Sequence, residues 1–207
     1  MPSEIYELIK NRRSVKNFLS KEVPKDVLKK ILEAAVWAPS AHNAQPWRFI
    51  VITDDETKRR LAEAMAQEWR KDLIKDGISP DIRKVLLKSS IEHFTKTPVL
   101  IIAAITMREM DKYPDRRRQE FEHLMATQSL AAAIQNMLLM ARSEGLGSCW
   151  FCAPLFCQDT VRKILGIPGD VEPQALVTIG YPSSWPDPPP RKPLEEVVFK
   201  DHWGGRF

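Results

Sequence analysis

Arg12, Arg13, Ser14 and Lys16 place two guanidiniums, a hydroxyl and an ammonium within one short stretch. Such a donor set is suited to gripping a phosphate. The cluster also closes a helix signalled by Ile5, Leu8 and Ile9 with Ser3 as N-cap, and cations at a helix C terminus are favoured by its dipole. From spacing alone the two explanations are equal. A second cluster, Pro39, Ser40, His42, Asn43, Gln45 and Pro46, lies between an apolar helix end and an apolar strand, pinned by its prolines and closed by Trp47. It reads as a ligand wall or as an ordinary loop after a proline stop.

Other chemistries lack an anchor. His42, His93, His123 and His202 are scattered, without H-E-x-x-H spacing, and no G-x-S-x-G elbow supplies a serine nucleophile. Gly145 and Gly147 follow a helix and precede a strand, the reverse of the dinucleotide-binding order. Cys149 and Cys152 form a C-x-x-C, but strand residues three apart face opposite sides, and no second pair completes a zinc site. No metal is expected.

The elements that must position the two clusters follow from periodicity. Pro24 opens a helix whose face is Val27, Leu28, Ile31, Leu32 and Ala35, and Arg48 to Thr53 reads as a strand. Asp54 or Asp55 caps a charged helix to Lys75, and Ser79 with Pro80 starts another to Lys96. These two read as an excursion over the surface, a candidate lid. Pro98 opens PVLIIAAIT, a fully buried strand. The longest helical pattern runs from Asp115 to Glu144. Its middle is apolar on more than one face, which suits both the centre of a domain and a subunit interface. Ser148 to Cys152 and Gln174 to Tyr181 read as strands, with a short helix from Asp159 to Leu165 between them. Residues 182–193 hold six of the chain's 16 prolines and form an extended arm. Leu194 to Phe199 reads as an edge strand offered to another subunit.

Composition sets the outer bounds. A chain of 207 residues with 43% hydrophobic and 28% charged content suits one soluble globular domain. Lys and Arg outnumber Asp and Glu by 31 to 27, a formal charge of +4 that is too mild to imply nucleic acid. No uninterrupted apolar run approaches the ~20 residues of a membrane helix, and no leader pattern opens the chain. Three clustered cysteines make no disulfide framework. The expected compartment is the cytoplasm, with neither membrane nor nucleic acid as partner.

Four stretches also carry a resemblance. RRSVKNF (12–18) after a short helix, APSAHNAQPWRFIV (38–51), GLGSCWFCAPLF (145–156) after the long helix, and RKPLEEVV (191–198) span nearly the whole chain in order. Together they resemble the FMN-dependent nitroreductase family. The resemblance implies an α+β fold with a mostly antiparallel central sheet flanked by helices. It implies a single domain over 1–207, with a helical excursion or lid at 66–118 and a C-terminal arm at 182–207 exchanged in a homodimer. It implies FMN as cofactor and NADH or NADPH as transient reductant, used in a ping-pong cycle with a small-molecule acceptor such as a nitroaromatic or quinone.

Carried over by position, Arg12, Arg13, Ser14 and Arg191 would hold the FMN phosphate, and Lys16 would reach the N1/O2 edge of the flavin. Ser40, Ala41, Asn43 and Gln45 would contact the cofactor from the other subunit. Cys152, Ala153, Pro154 and Leu155 would line the ring, with backbone N–H near N5. Lys16 departs from the arginine of many relatives, keeping the charge and losing the planar fork. No side chain is required as acid or base, because the flavin carries the chemistry. The same fold also allows a specialised reaction (dehalogenation, flavin fragmentation or deazaflavin-linked reduction) or flavin storage without turnover. The deiodinase version uses a lid tyrosine, whereas Tyr6, Tyr113 and Tyr181 all lie outside 54–96. Trp69, Phe94 and Arg116 to Arg118 are substrate-site candidates by location.

Overall fold

The apolar run opened by Pro98 becomes the spine of the molecule. The computed structural model describes residues 3–207. Strands β1 (Trp47–Ile52), β2 (Val99–Thr106), β3 (Gly147–Phe151) and β4 (Val171–Gly180) form one sheet in the order β1-β2-β4-β3, every pair antiparallel. Along β2 the side chains alternate between two cores. Val99, Ile101, Ala103 and Ile105 face one, and Leu100 and Ile102 face the other. Burial on both faces is why this strand is a continuous apolar run rather than an alternating one.

The helices α1 (Glu4–Asn11), α2 (Lys25–Val36), α3 (Asp55–Lys75), α4 (Pro80–Lys96), α5 (Arg116–Ser143) and α6 (Gln158–Leu165) surround the sheet, and α7 (Leu194–Val197) lies exposed on the C-terminal arm. On one face Leu28, Ile31 and Ala35 of α2 meet Leu130, Ala133, Ile134 and Met137 of α5. On the other, Leu61 and Met65 of α3, Phe94 of α4 and Val161 of α6 close the second core. Sequence-encoded caps start the helices. Ser3 accepts from the Tyr6 N–H, Asp54 from Thr57 and Asp115 from Arg118. Pro24 is the N-cap of α2, one place before its expected position.

Two expectations need correction. The stretch 66–118 is not one excursion, because it contains β2, and the surface-helix reading fails for α3, whose Leu61, Ala62, Met65 and Ala66 are buried. The charged residues of α3 hide an apolar face only a few residues wide. Leu194 to Phe199 makes no edge strand; residues 194–197 form α7. Pro193 at its N-cap and Glu195 and Glu196 in its first turn favour a helix start over the strand preference of two valines.

By length and composition α5 is apolar enough to cross a membrane. Its packing accounts for part of that character: Ala126, Leu130, Ala133, Ile134, Met137 and Ala141 lie in the core. The most apolar 18-residue window is 44% buried, leaving apolar surface uncovered.

Candidate functional site

Beside β3, the polypeptide after α1 runs along the sheet edge. Val15 N–H donates to Ser148 O at 3.0 Å, and Ser14 bridges Ser148 in parallel. Gly147 permits this approach, since a Cβ there would lie 2.7 Å from Val15 Cβ. With Val15 buried inward, its neighbours Ser14 and Lys16 are turned the other way, as extended backbone requires. Farther on, Leu19 N–H donates to Tyr181 O at 2.8 Å and Ser183 N–H to Asn17 O at 3.0 Å. The start of the C-terminal arm is therefore held on its own chain's N-terminal segment.

The phosphate-gripping reading gains physical support here. Burial pushes the pKa of the Arg12 guanidinium down from its ordinary value, and the neighbouring Arg191 and then Arg13 push it in the same direction. Arg13 donates to the carbonyls of Lys10 and Arg12, and Arg191 to those of Pro189 and Pro190. Among the described residues none of these three guanidiniums pairs with a carboxylate. Two adjacent cations without a counter-ion are unfavourable, and a phosphate dianion would relieve both through charge-assisted hydrogen bonds.

Lys16, on the same segment, also lines a cleft of ≈ 1260 Å³. Ala153 lines the same cleft, at the start of the 3-10 turn Ala153–Phe156 that follows β3. Pro154 is buried, whereas Cys152 and Leu155 are exposed. Across the opening lie Trp69 of α3 and Phe94 of α4, both anticipated by location. Arg116 to Arg118 are elsewhere: Arg116 pairs with Glu120, Arg118 with Asp115, and Arg117 sits over the Phe121 ring.

Sequence reasoning missed His93. Its ring packs against Phe94 and Phe151 at centroid distances of 5.1 and 5.2 Å, it lines the cleft, and its Nε2 is buried without a partner. Burial depresses its pKa, opposed by a hydrogen bond to the Lys16 backbone and reinforced by the Lys16 charge. The available signal was the His93–Phe94 pair on the inward side of α4. The thiols of Cys149 and Cys157 are buried, and burial raises both, Cys157 to about 11. Neither is a ready nucleophile.

The polar turn forms a separate wall. His42, Asn43 and Gln45 all have left-handed backbone, with φ of 56, 53 and 47°. Three such residues in four positions are costly and mark a tightly determined conformation. Ser40 Oγ accepts from the Gln45 N–H at 3.0 Å, and the Ala41 N–H donates to Ser129 Oγ at 3.2 Å. Ser40, Ala41, Asn43 and Gln45 are thus brought together, but not with Arg12 and Lys16. The turn leads into edge strand β1 and the Arg12 segment flanks edge strand β3. Three strand spacings separate those edges by ~14 Å, and the fourteen residues from Ser129 to the end of α5 add ~21 Å along that helix.

Comparison with known proteins places the chain in a family. The profile of the nitroreductase family matches residues 9–181. The chain belongs to the nitroreductase family. A relative from Thermus thermophilus, described as an NADH dehydrogenase, is 33% identical over 91% of this chain and 91% of its own length. Iodotyrosine deiodinase 1 from Sus scrofa is 29% identical over 94% of this chain and 68% of its own. A Desulfovibrio desulfuricans protein described as a nitroreductase in complex with FMN superposes with a TM-score of 0.75, at 24% identity, covering 98% of this chain and 99% of that one.

Proposed function

We propose that the chain is an FMN-dependent NAD(P)H oxidoreductase that acts as a homodimer in the cytoplasm. The observation that carries this reading is the pair Arg12 and Arg191, adjacent and without a carboxylate, leading through Lys16 into an aromatic-walled cleft. FMN, when bound, supplies hydride acceptance from NADH or NADPH and hydride donation to a nitroaromatic, quinone or similar acceptor. Arg12, Arg13, Ser14 and Arg191 would hold its phosphate. Lys16 would place positive charge at the flavin edge that becomes negative on reduction. Cys152, Ala153, Pro154 and Leu155 would support the ring, and Trp69, Phe94 and Phe156 would exclude water above it.

Ser40, Ala41, Asn43 and Gln45 belong to the same site only when a second copy supplies them. The separation of the two walls within one chain supports that arrangement, as does uncovered apolar surface. Phe121 and Leu124 of α5 are half exposed, and Trp37 is 85% exposed. Apolar area of that extent is characteristic of an interface. The arm beyond Arg191, with Trp203 and Phe207 each 87% exposed, is the segment exchanged with the partner.

A purified protein that is yellow, bleaches with NADH or NADPH under anaerobic conditions and recovers with a nitroaromatic or quinone meets this expectation. A colourless protein that cannot be reconstituted with FMN overturns it. The 29% identity to a deiodinase favours a second reading, reductive dehalogenation of a phenolic substrate. Halide release from an iodophenol by the reduced protein, without turnover of nitroaromatics, would establish that reading instead.

A further inference from the structure

We propose that His42, Asp111 and Glu122 form a divalent-cation site where the polar turn meets α5. Their ligand atoms all lie within 4.8 Å of one another. His42 Nε2 is 3.4 Å from Glu122 Oε1 and 3.9 Å from Asp111 Oδ2. Ligands around a tetrahedral ion with bonds of ~2.0–2.1 Å are separated by ~3.3 Å, so the three atoms must close by at most ~1.5 Å.

The independent observation is Glu122 itself. This carboxylate is 2% exposed, and its Oε2 is buried with no hydrogen-bond partner. The imidazole reaches Oε1 alone. A buried carboxylate oxygen without compensation is costly, and a divalent ion between the three side chains supplies the missing positive charge. One imidazole nitrogen with two carboxylate oxygens suits a borderline first-row ion such as Zn2+ or Mn2+. The rim is free to adjust: the side chains of Asp111 and His42 are 58% and 46% exposed, whereas Glu122 is fixed on the inner face of α5. An ion held there would join the left-handed turn at His42 to the helix beneath it.

The test uses FMN-loaded protein stripped with EDTA and titrated with Zn2+ in a calorimeter. Wild type is expected to bind one ion per chain, and Glu122→Gln and Asp111→Asn to weaken that binding by about 100-fold. Zn2+ at about ten times the wild-type dissociation constant should raise the melting temperature of the wild type and leave that of Asp111→Asn nearly unchanged. Absence of binding, or affinity within twofold of wild type in these variants, overturns the site. Asp111→Asn decides alone if Glu122→Gln fails to fold, because Asp111 lies on the exposed rim.

Discussion

Arg12 and Arg191 oppose one another electrostatically, so each position contributes little to the empty fold and much to a bound anion. Arg12→Ala is expected to weaken FMN retention by ~10- to 100-fold, the range for losing a charge-assisted hydrogen bond, with little loss of melting temperature in the flavin-free protein. Equilibrium dialysis checks this, and unchanged affinity refutes the phosphate assignment. His93 gives a prediction in pH. Burial holds its pKa below the ordinary value, so as pH falls through about 6.5 the unfolded chain takes up a proton that the native chain refuses. Stability is therefore lost on acidification. Urea midpoints at pH 7.5 and 5.5 should differ less in His93→Gln than in wild type, and an equal difference would show that another group is responsible. Residue identity singled out Arg12 and Lys16 as candidates because donors cluster visibly in a chain. It did not foretell Glu122, which shares its stretch with Glu120 and three arginines and looks solvated there, although the helix turns it inward.

Among the elements, the pairing of the Arg12 segment with β3 is most exposed to a single change. Gly147→Ala sets a methyl against Val15, and an overpacked contact of that kind costs about 1–3 kcal/mol. Because Ser14 and Lys16 flank Val15, the same change should also loosen FMN. Gly169→Ala has open space around its Cβ and is expected to stay within about 0.5 kcal/mol of wild type. Thermal melts and flavin titrations of the two variants compare them directly, and equal behaviour would remove the close approach from the account. Strong local signals made these elements readable in advance. Asp54, Asp115 and Pro80 mark helix starts, and the run after Pro98 has no polar interruption before Thr106. Leu194 to Phe199 was misread because four residues of helix leave no period to detect.

At the scale of the whole molecule, the polar turn and the Arg12 segment lie by opposite edges of the sheet, and composition cannot reveal that. A sequence shows order along the chain, whereas the gap between Ser40 and Lys16 arises only when β1 and β3 take opposite edges of the sheet. The proposed dimer predicts complementation. Mixing Arg12→Ala chains with Asn43→Ala chains, each impaired alone, should restore one intact site in the mixed dimer and roughly a quarter of wild-type activity after random exchange. No recovery above the parent variants would place both walls in one chain. The separation is kept by a single rod, α5, whose middle anchors the turn through Ser129 and whose end delivers the chain to β3. One residue inserted between Ser129 and Ser143 would rotate one wall against the other by ~100° and shift it by ~1.5 Å. Length is consequently frozen along that rod, even at positions that touch neither the turn nor the Arg12 segment.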